Sequence, residues 1–91
     1  MIKTFKHKGL KELFEKGVTR KIHPNQHRKC TQQLDAIDSA EIAEDLNIIG
    51  WRFHQLTGFK QRYSLTVTAN FRITFDFKDG EAFIVDYLDY H

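Results

Sequence analysis

The residues of this chain that could do chemistry are His54, Arg72 and the terminal run Asp89-Tyr90-His91. Histidine moves protons near neutral pH because its unperturbed pKa is ~6.5. Arginine supplies a permanent, forked charge for phosphate oxygens. A tyrosine can stack on an unpaired base, the usual grip on single-stranded RNA. One reaction uses this inventory without a metal: cleavage of RNA through its own 2′-hydroxyl. A base takes the 2′-OH proton, an acid protonates the leaving 5′-oxygen, and a cation stabilises the crowded, negative phosphorane. His54 and His91 match the proton-transfer roles in type, Arg72 the cation and Tyr90 the stacking surface. Asp89 could orient a histidine or hold a proton.

Other uses of the titratable residues are poorly supported. His23 and His27 stand at i, i+4, but no carboxylate accompanies them at ligand spacing and Pro24-Asn25 puts them at a helix edge. No CxxC clasp is present, and Cys30 falls on an apolar stripe where it reads as core. Neither a metal nor a cofactor is expected. His7, His23 and His27 read as surface residues.

Charge is unevenly distributed. Residues 1–33 hold nine Lys or Arg against two Glu, and residues 34–50 hold five acids with no Lys or Arg. Residues 51–72 hold Arg52, Lys60, Arg62 and Arg72 with no acid, and residues 73–91 hold five acids against Lys78. Two basic segments gathered on one face would attract a phosphate-rich partner. Arg52, Lys60 and Arg62 are the RNA-contact candidates.

The elements that must position these groups follow from periodicity. Ile2–Phe5 reads as a weak opening strand. Leu10, Leu13 and Phe14 recur at helical spacing over residues 9–17, and Gly17 ends that helix. Pro24 suits the first turn of a second helix over 24–38, with His27, Cys30, Leu34 and Ile37 as its stripe. Residues 39–47 read as an acidic loop with a helical turn capped by Ser39. After Gly50 the period becomes 2. Trp51 and Phe53 take one face of a strand and Arg52 and His54 the other, with further strands at 63–67, 71–77 and 82–87. A turn at Thr68-Ala69-Asn70 and a hairpin at Lys78-Asp79-Gly80-Glu81 join the last three into a meander, with Phe83, Val85 and Tyr87 packing the final strand. The expected architecture is an α+β fold of order β-α-α-β-β-β-β, with helices on one face of a twisted antiparallel sheet. Arg72 lies opposite Phe71, Ile73 and Phe75 in parity, so it joins Arg52 and His54 on the open face.

Length and composition agree. Ninety-one residues, 41% hydrophobic and 29% charged, suit one domain over 1–91 with one modest core. No apolar run approaches the ~20 residues of a membrane span. The N-terminal stretch lacks the apolar centre of a secretory signal, and one cysteine fits a reducing cytoplasm.

The chain resembles the HigB-type toxins of bacterial toxin–antitoxin systems. The likeness is carried by the opening Met1-Ile2-Lys3-Thr4-Phe5-Lys6-His7-Lys8-Gly9-Leu10-Lys11-Glu12-Leu13-Phe14-Glu15 and by Leu34-Asp35-Ala36-Ile37-Asp38. Glu44-Asp45-Leu46-Asn47, Gly50-Trp51-Arg52-Phe53-His54, Asn70-Phe71-Arg72-Ile73-Thr74-Phe75 and Asp89-Tyr90-His91 continue it. The resemblance implies a RelE/ParE-like fold and a ribosome-dependent endoribonuclease that cuts mRNA in the decoding site of the 70S ribosome of a bacterial cytoplasm. It implies neutralisation by a helix-turn-helix antitoxin of the HigA type, with operator DNA bound only through the antitoxin complex. His54, Arg72, Asp89, Tyr90 and His91 coincide with the family's active-site positions. One departure stands out: well-known members read His-Pro-Leu-Lys-Gly where this chain reads His54-Gln55-Leu56-Thr57-Gly58, and Thr57 cannot supply a cation. Lys60 and Arg62 lie near enough in sequence to substitute. The alternatives are a gyrase-binding poison of the ParE kind, which shares the fold and has no need of paired proton-transfer groups, and an inactive ribosome- or RNA-binding domain.

Overall fold

The computed structural model describes residues 1–90. Helix α1 spans Lys8–Lys16 and helix α2 His27–Ser39. A four-stranded sheet follows, with β1 His54–Gln55, β2 Arg62–Thr66, β3 Phe71–Lys78 and β4 Glu81–Asp89 in the order β1-β2-β3-β4, every neighbouring pair antiparallel. The α+β expectation holds.

Each helix end has a local cause. Gly17 adopts φ 80° and returns its N–H to Leu13 O, because a residue without Cβ takes the left-handed conformation at no steric cost. At the other end His7, expected as plain surface, caps the helix: its Nδ1 accepts the Leu10 N–H at 3.2 Å. Pro24 opens a 3₁₀ turn, Pro24–Gln26, that leads into α2. The next turn, Ala43–Leu46, is held by Asp45, whose Oδ2 accepts the Glu41 and Ile42 N–H groups. Ser39 is the last residue of α2 and not the cap of that turn.

Leu10 and Leu13 of α1, and Cys30, Leu34 and Ile37 of α2, pack with Leu46 against Leu65, Ile73, Phe75, Ala82 and Val85 of the sheet. An aromatic row crosses this covered face: Phe53 stacks on Tyr63 at 5.3 Å, and Tyr63 leans on Phe75 at 6.0 Å. Gln33 ties α2 to the sheet by donating from Nε2 to Thr66 O at 2.8 Å.

Three details depart from the periodicity. Ile2–Phe5 is not a regular strand: it touches β4 through two isolated parallel bridges, Ile2 with Ala82 and Phe5 with Val85. Between them the β4 edge is interrupted at Ile84, whose N–H turns to Thr4 Oγ1 at 2.8 Å. The interruption is a bulge. Asp76 pairs with Phe83 and Thr74 with Asp86, so three steps of β4 span two of β3, and Ile84 takes φ 53°. Phe83 therefore stands opposite Asp76 on the uncovered face, while Val85 and Tyr87 do pack inward. Finally, the strand expected over 51–54 is reduced to His54–Gln55, because Arg52 takes φ 49° and cannot continue a ladder. The burial alternation of Trp51, Arg52, Phe53 and His54 survives without strand backbone.

The His7 cap gives a pH prediction. Burial lowers the His7 pKa; Asp86 opposes this shift, and Lys21 adds to it. The native state thus favours the neutral ring, whose Nδ1 lone pair holds Leu10 N–H. Below the ordinary value of about 6.5 the unfolded chain binds more protons at this position, so stability falls with pH through that window and is fully present above it. His7→Ala should cost about 0.5–2 kcal/mol at pH 7.5 and flatten the acid limb between pH 7 and 5, measured by urea unfolding. An unchanged limb would remove His7 as its source.

Candidate functional site

The uncovered face of the sheet is built in rows by the antiparallel register. One row reads His54, Ser64, Thr74, Asp86, the next Thr66, Arg72, Leu88, and on the other side Arg62, Asp76, Phe83. His54 and Arg72 therefore share a face, as their parity predicted. They lie on strands separated by β2, whose axes are about 10 Å apart across two strand spacings, and they stand in neighbouring rows, opposite Ser64 and Thr66 of β2.

His54 is exposed, and its orientation is set by its own chain. The left-handed turn at Arg52 brings the Arg52 carbonyl to His54 Nδ1 at 2.9 Å. A carbonyl only accepts, so the Nδ1 position carries the proton, and in the neutral ring the Nε2 lone pair is left as a proton acceptor. Arg72 is half-buried and held from two sides. One guanidinium nitrogen donates to Thr66 Oγ1 at 2.5 Å, and its Cζ lies 5.1 Å from the centroid of the Tyr90 ring. Tyr90 is itself anchored, its N–H donating to Asn70 O at 2.6 Å while its ring is 49% exposed. The tail is thus tied to the sheet as far as Tyr90, by β4 and by the 68–70 turn. Asp89 pairs across to Phe71 at the end of β4. His91 lies outside the described residues.

The three basic candidates separate. Arg52 and Lys60 are exposed, Arg52 beside His54 and Lys60 on the β1–β2 loop. Arg62 is committed within the sheet: it donates to Asp76 Oδ1 at 3.0 Å and to Thr74 Oγ1 at 2.9 Å, with its side chain only 14% exposed. Of the two residues near enough to stand in for the cation missing at Thr57, Lys60 is the one whose charge faces solvent.

Periodicity gave no sign of several groups that shape this site. Gln55 closes the loop over residues 56–61 by donating to Phe59 O at 2.9 Å and Lys60 O at 2.6 Å. Phe59, the largest side chain of that loop, is 56% exposed beside Gly58; an apolar residue in a glycine turn is its only sequence signal. Thr66 holds Arg72 through its hydroxyl, a contact that strand alternation does not announce.

The remaining nucleophiles and histidines have other duties. Burial pushes the Cys30 thiol up to about 12, so it stays protonated and inert. Burial likewise raises the Tyr87 hydroxyl, with Cys30 and Asp89 adding to the shift. His23 accepts the Asn25 N–H at its Nδ1, and His27 Nε2 meets Ile22 O at 2.8 Å, so both spend ring nitrogens on backbone. Among the described residues no cluster of three His, Cys, Asp or Glu could hold a metal, and no helix is long and apolar enough to cross a membrane.

Over residues 3–91 the sequence matches the family described as the RelE-like toxin of the type II toxin–antitoxin system HigB. The chain belongs to the HigB-like toxin family. It is 49% identical over 92 residues to the "Endoribonuclease HigB" of Proteus vulgaris, with all of both chains covered. A HigB-like toxin acts within a toxin–antitoxin pair, so an antitoxin is its partner. The α+β sheet and two helices are compatible with a RelE-like fold.

Proposed function

We propose that this HigB-like toxin is a ribosome-dependent, metal-independent endoribonuclease that cleaves translated mRNA and so stops growth. The observation that carries the reading is His54: its Nδ1 is tied to a carbonyl and its Nε2 is left as an acceptor, on the same exposed face as a clamped arginine. The name of the Proteus vulgaris relative, which specifies an endoribonuclease, supports it.

In this mechanism His54 Nε2 takes the proton from the 2′-hydroxyl as that oxygen bonds to phosphorus. The bond from phosphorus to the 5′-oxygen breaks, leaving a 2′,3′-cyclic phosphate, and the 5′-oxygen receives a proton from the terminal histidine, His91. Arg72 faces the phosphorane oxygens, held in one orientation by Thr66 and by Tyr90, so that little reorganisation is needed as charge develops. Tyr90 presents its exposed ring to a base, and Asp89 orients His91. Arg52 and Lys60 contact RNA phosphates. Arg62 contributes by fixing β2 to β3 through Asp76. No step calls for a metal, because the proton carriers and the charge are supplied by side chains.

The openness of the sheet supports ribosome dependence. An open face with one short loop offers little to hold a flexible strand in line for 2′-OH attack, and positioning can contribute about 7–11 kcal/mol of a barrier. The decoding site supplies that order, and the toxin acts in the cytoplasm where ribosomes translate. The antitoxin is a helix-turn-helix protein of the HigA type, and operator DNA is bound only through the complex. The test is primer extension on mRNA with and without programmed ribosomes. Cuts should appear within the translated region only with ribosomes, and cleavage should weaken as salt rises because counterions are released on binding. Equal cleavage of naked mRNA at physiological salt would sink ribosome dependence.

A further inference from the structure

A recess lies on the opposite side of the sheet from His54. It encloses about 290 Å³ between the 21–26 segment and the far ends of β3 and β4, and its lining is mostly apolar. Buried Ile22 contributes to it, and Phe71 and Tyr87 form one wall, their rings stacked at 5.1 Å and 8°. Both rings pack against the core cluster, whereas Arg72, the next residue on β3, faces the uncovered side. Two polar atoms of the lining residues are buried without a hydrogen-bond partner among the described residues: Gln26 Oε1 and the Tyr87 hydroxyl. Leaving such atoms unpaired is costly, so a ligand that brings both donors and acceptors is favoured here.

The rim is basic. Lys21 Nζ stands 3.2 Å from both Glu12 carboxylate oxygens and, half-exposed, keeps a donor for a further anion. His23 is exposed, and because its Nδ1 accepts the Asn25 N–H, its neutral ring carries the proton on Nε2, a donor for a phosphate oxygen. Residues 16–34 hold five Lys or Arg and no acid, with Arg20 and Arg28 exposed. A small apolar recess with an aromatic wall, an amide and a basic rim has the chemistry of a site for an unpaired nucleotide. The volume agrees: it sits at the lower bound of small-molecule pockets, about 300–1,000 Å³, which suits one base and not a larger ligand.

We propose that this recess receives one unpaired base of ribosomal RNA, set against the Phe71–Tyr87 wall with its polar edge on the Gln26 amide and its phosphate on Lys21 and His23. The proposal rests on the ribosome-dependent reading and gives that dependence a contact. Ribosomal RNA is the occupant because of the side on which the recess opens. The strand being cut lies on the face of Arg72 and His54, and the sheet stands between that face and the recess. A second RNA strand held behind the sheet fixes the toxin's orientation while the uncovered face works on the first. Gln26 is half-buried and makes no capping bond to α2, so its amide is available to a base edge.

The test has two arms. In the first, the free toxin is titrated with AMP, GMP, CMP and UMP and followed by NMR. The Ile22 methyls, the Gln26 side-chain amide and the Tyr87 ring should shift with at least one nucleotide and stay still with ribose 5-phosphate. Gln26→Leu should weaken that binding about 5-fold, the worth of one neutral hydrogen bond, with the unfolding midpoint unchanged. Equal shifts with ribose 5-phosphate, or none at Ile22, would overturn the proposal. In the second arm, Asn25→p-benzoylphenylalanine places a photo-cross-linker at the exposed lip of the recess. On ribosomes programmed with an uncleavable 2′-O-methyl mRNA it should cross-link to ribosomal RNA. A cross-link confined to mRNA or to protein would overturn the proposal, as would none. Cleavage with and without ribosomes is assayed separately and the titration uses free toxin, so an empty recess and a ribosome-independent nuclease are distinct results.

Discussion

His54→Ala lowers ribosome-dependent cleavage by about 10²–10⁴-fold, the usual cost of losing a general acid or base, while the unfolding midpoint stays where it is. The stability half follows from exposure: His54 is exposed, its ring bonded to the Arg52 carbonyl, and such surface changes usually stay within about 0.5 kcal/mol. The rate half follows from the ring's fixed orientation, since alanine offers nothing at the position of Nε2. Arg72→Ala should cost a similar factor by removing the charge aimed at the phosphorane, and it leaves Thr66 with a hydroxyl that water can satisfy. Combining the two should be less than additive, because both serve one transition state. Single-turnover cleavage on programmed ribosomes decides the matter. A folded His54→Ala variant that cuts at the parent's rate removes His54 from the chemistry.

Deleting residues 89–91 should abolish growth inhibition with the fold retained. The structure states what such a variant loses: the pairing of Asp89 with Phe71, the Tyr90 N–H bond to Asn70 O, and the ring beside Arg72. None of these residues belongs to the buried cluster, whose last member on β4 is Val85 with Tyr87 packed against it. Tyr90→Ala separates ring from tether. It keeps the backbone bond and removes the stacking surface, which for a base on an aromatic ring amounts to about 1–3 kcal/mol. Cleavage should then fall about 10-fold or more, with Arg72 less restrained. A truncated protein that unfolds cooperatively near the parent's midpoint and still arrests growth would show that the tail is surface and no more.

Much of this arrangement was readable from residue order, and the failures share a cause. Helices α1 and α2, the three-stranded meander and both of its turns follow from local pattern and from Gly17, Pro24 and Gly80, each of which dictates backbone conformation over one or two bonds. The common face of His54 and Arg72 followed from parity within strands. What parity cannot reveal is where alternation is reset. Arg52 and Ile84 both take positive φ, a conformation that neither residue type announces, and each changes the pairing around it. Side chains that answer backbone groups three to five positions away were equally silent. His7 as a helix cap, Asp45 holding two N–H groups and Gln55 closing a loop depend on three-dimensional proximity, and nothing in the letters distinguishes them from solvated polar residues. Arg62 looked like a free cation for the same reason: its partner Asp76 is fourteen positions away, on the facing strand.

The extra residue in β4 makes the terminal strand a phase-sensitive device. Counting back from Tyr90, the side that each of the last residues presents is kept because Ile84 stands outside the alternation. Substitutions in this stretch act position by position, but a change of length acts on all of it together. Removing Ile84 would erase the bulge and leave plain alternation, with Asp86 still opposite Thr74, whereas removing one residue beyond it, such as Asp86, would carry Leu88 and Tyr90 toward the helices and Tyr87 toward solvent. Among homologous chains, gain or loss of residues should therefore be tolerated in the β1–β2 loop, and loss at the bulge itself, but excluded between Val85 and the terminus, unless a second change restores the count.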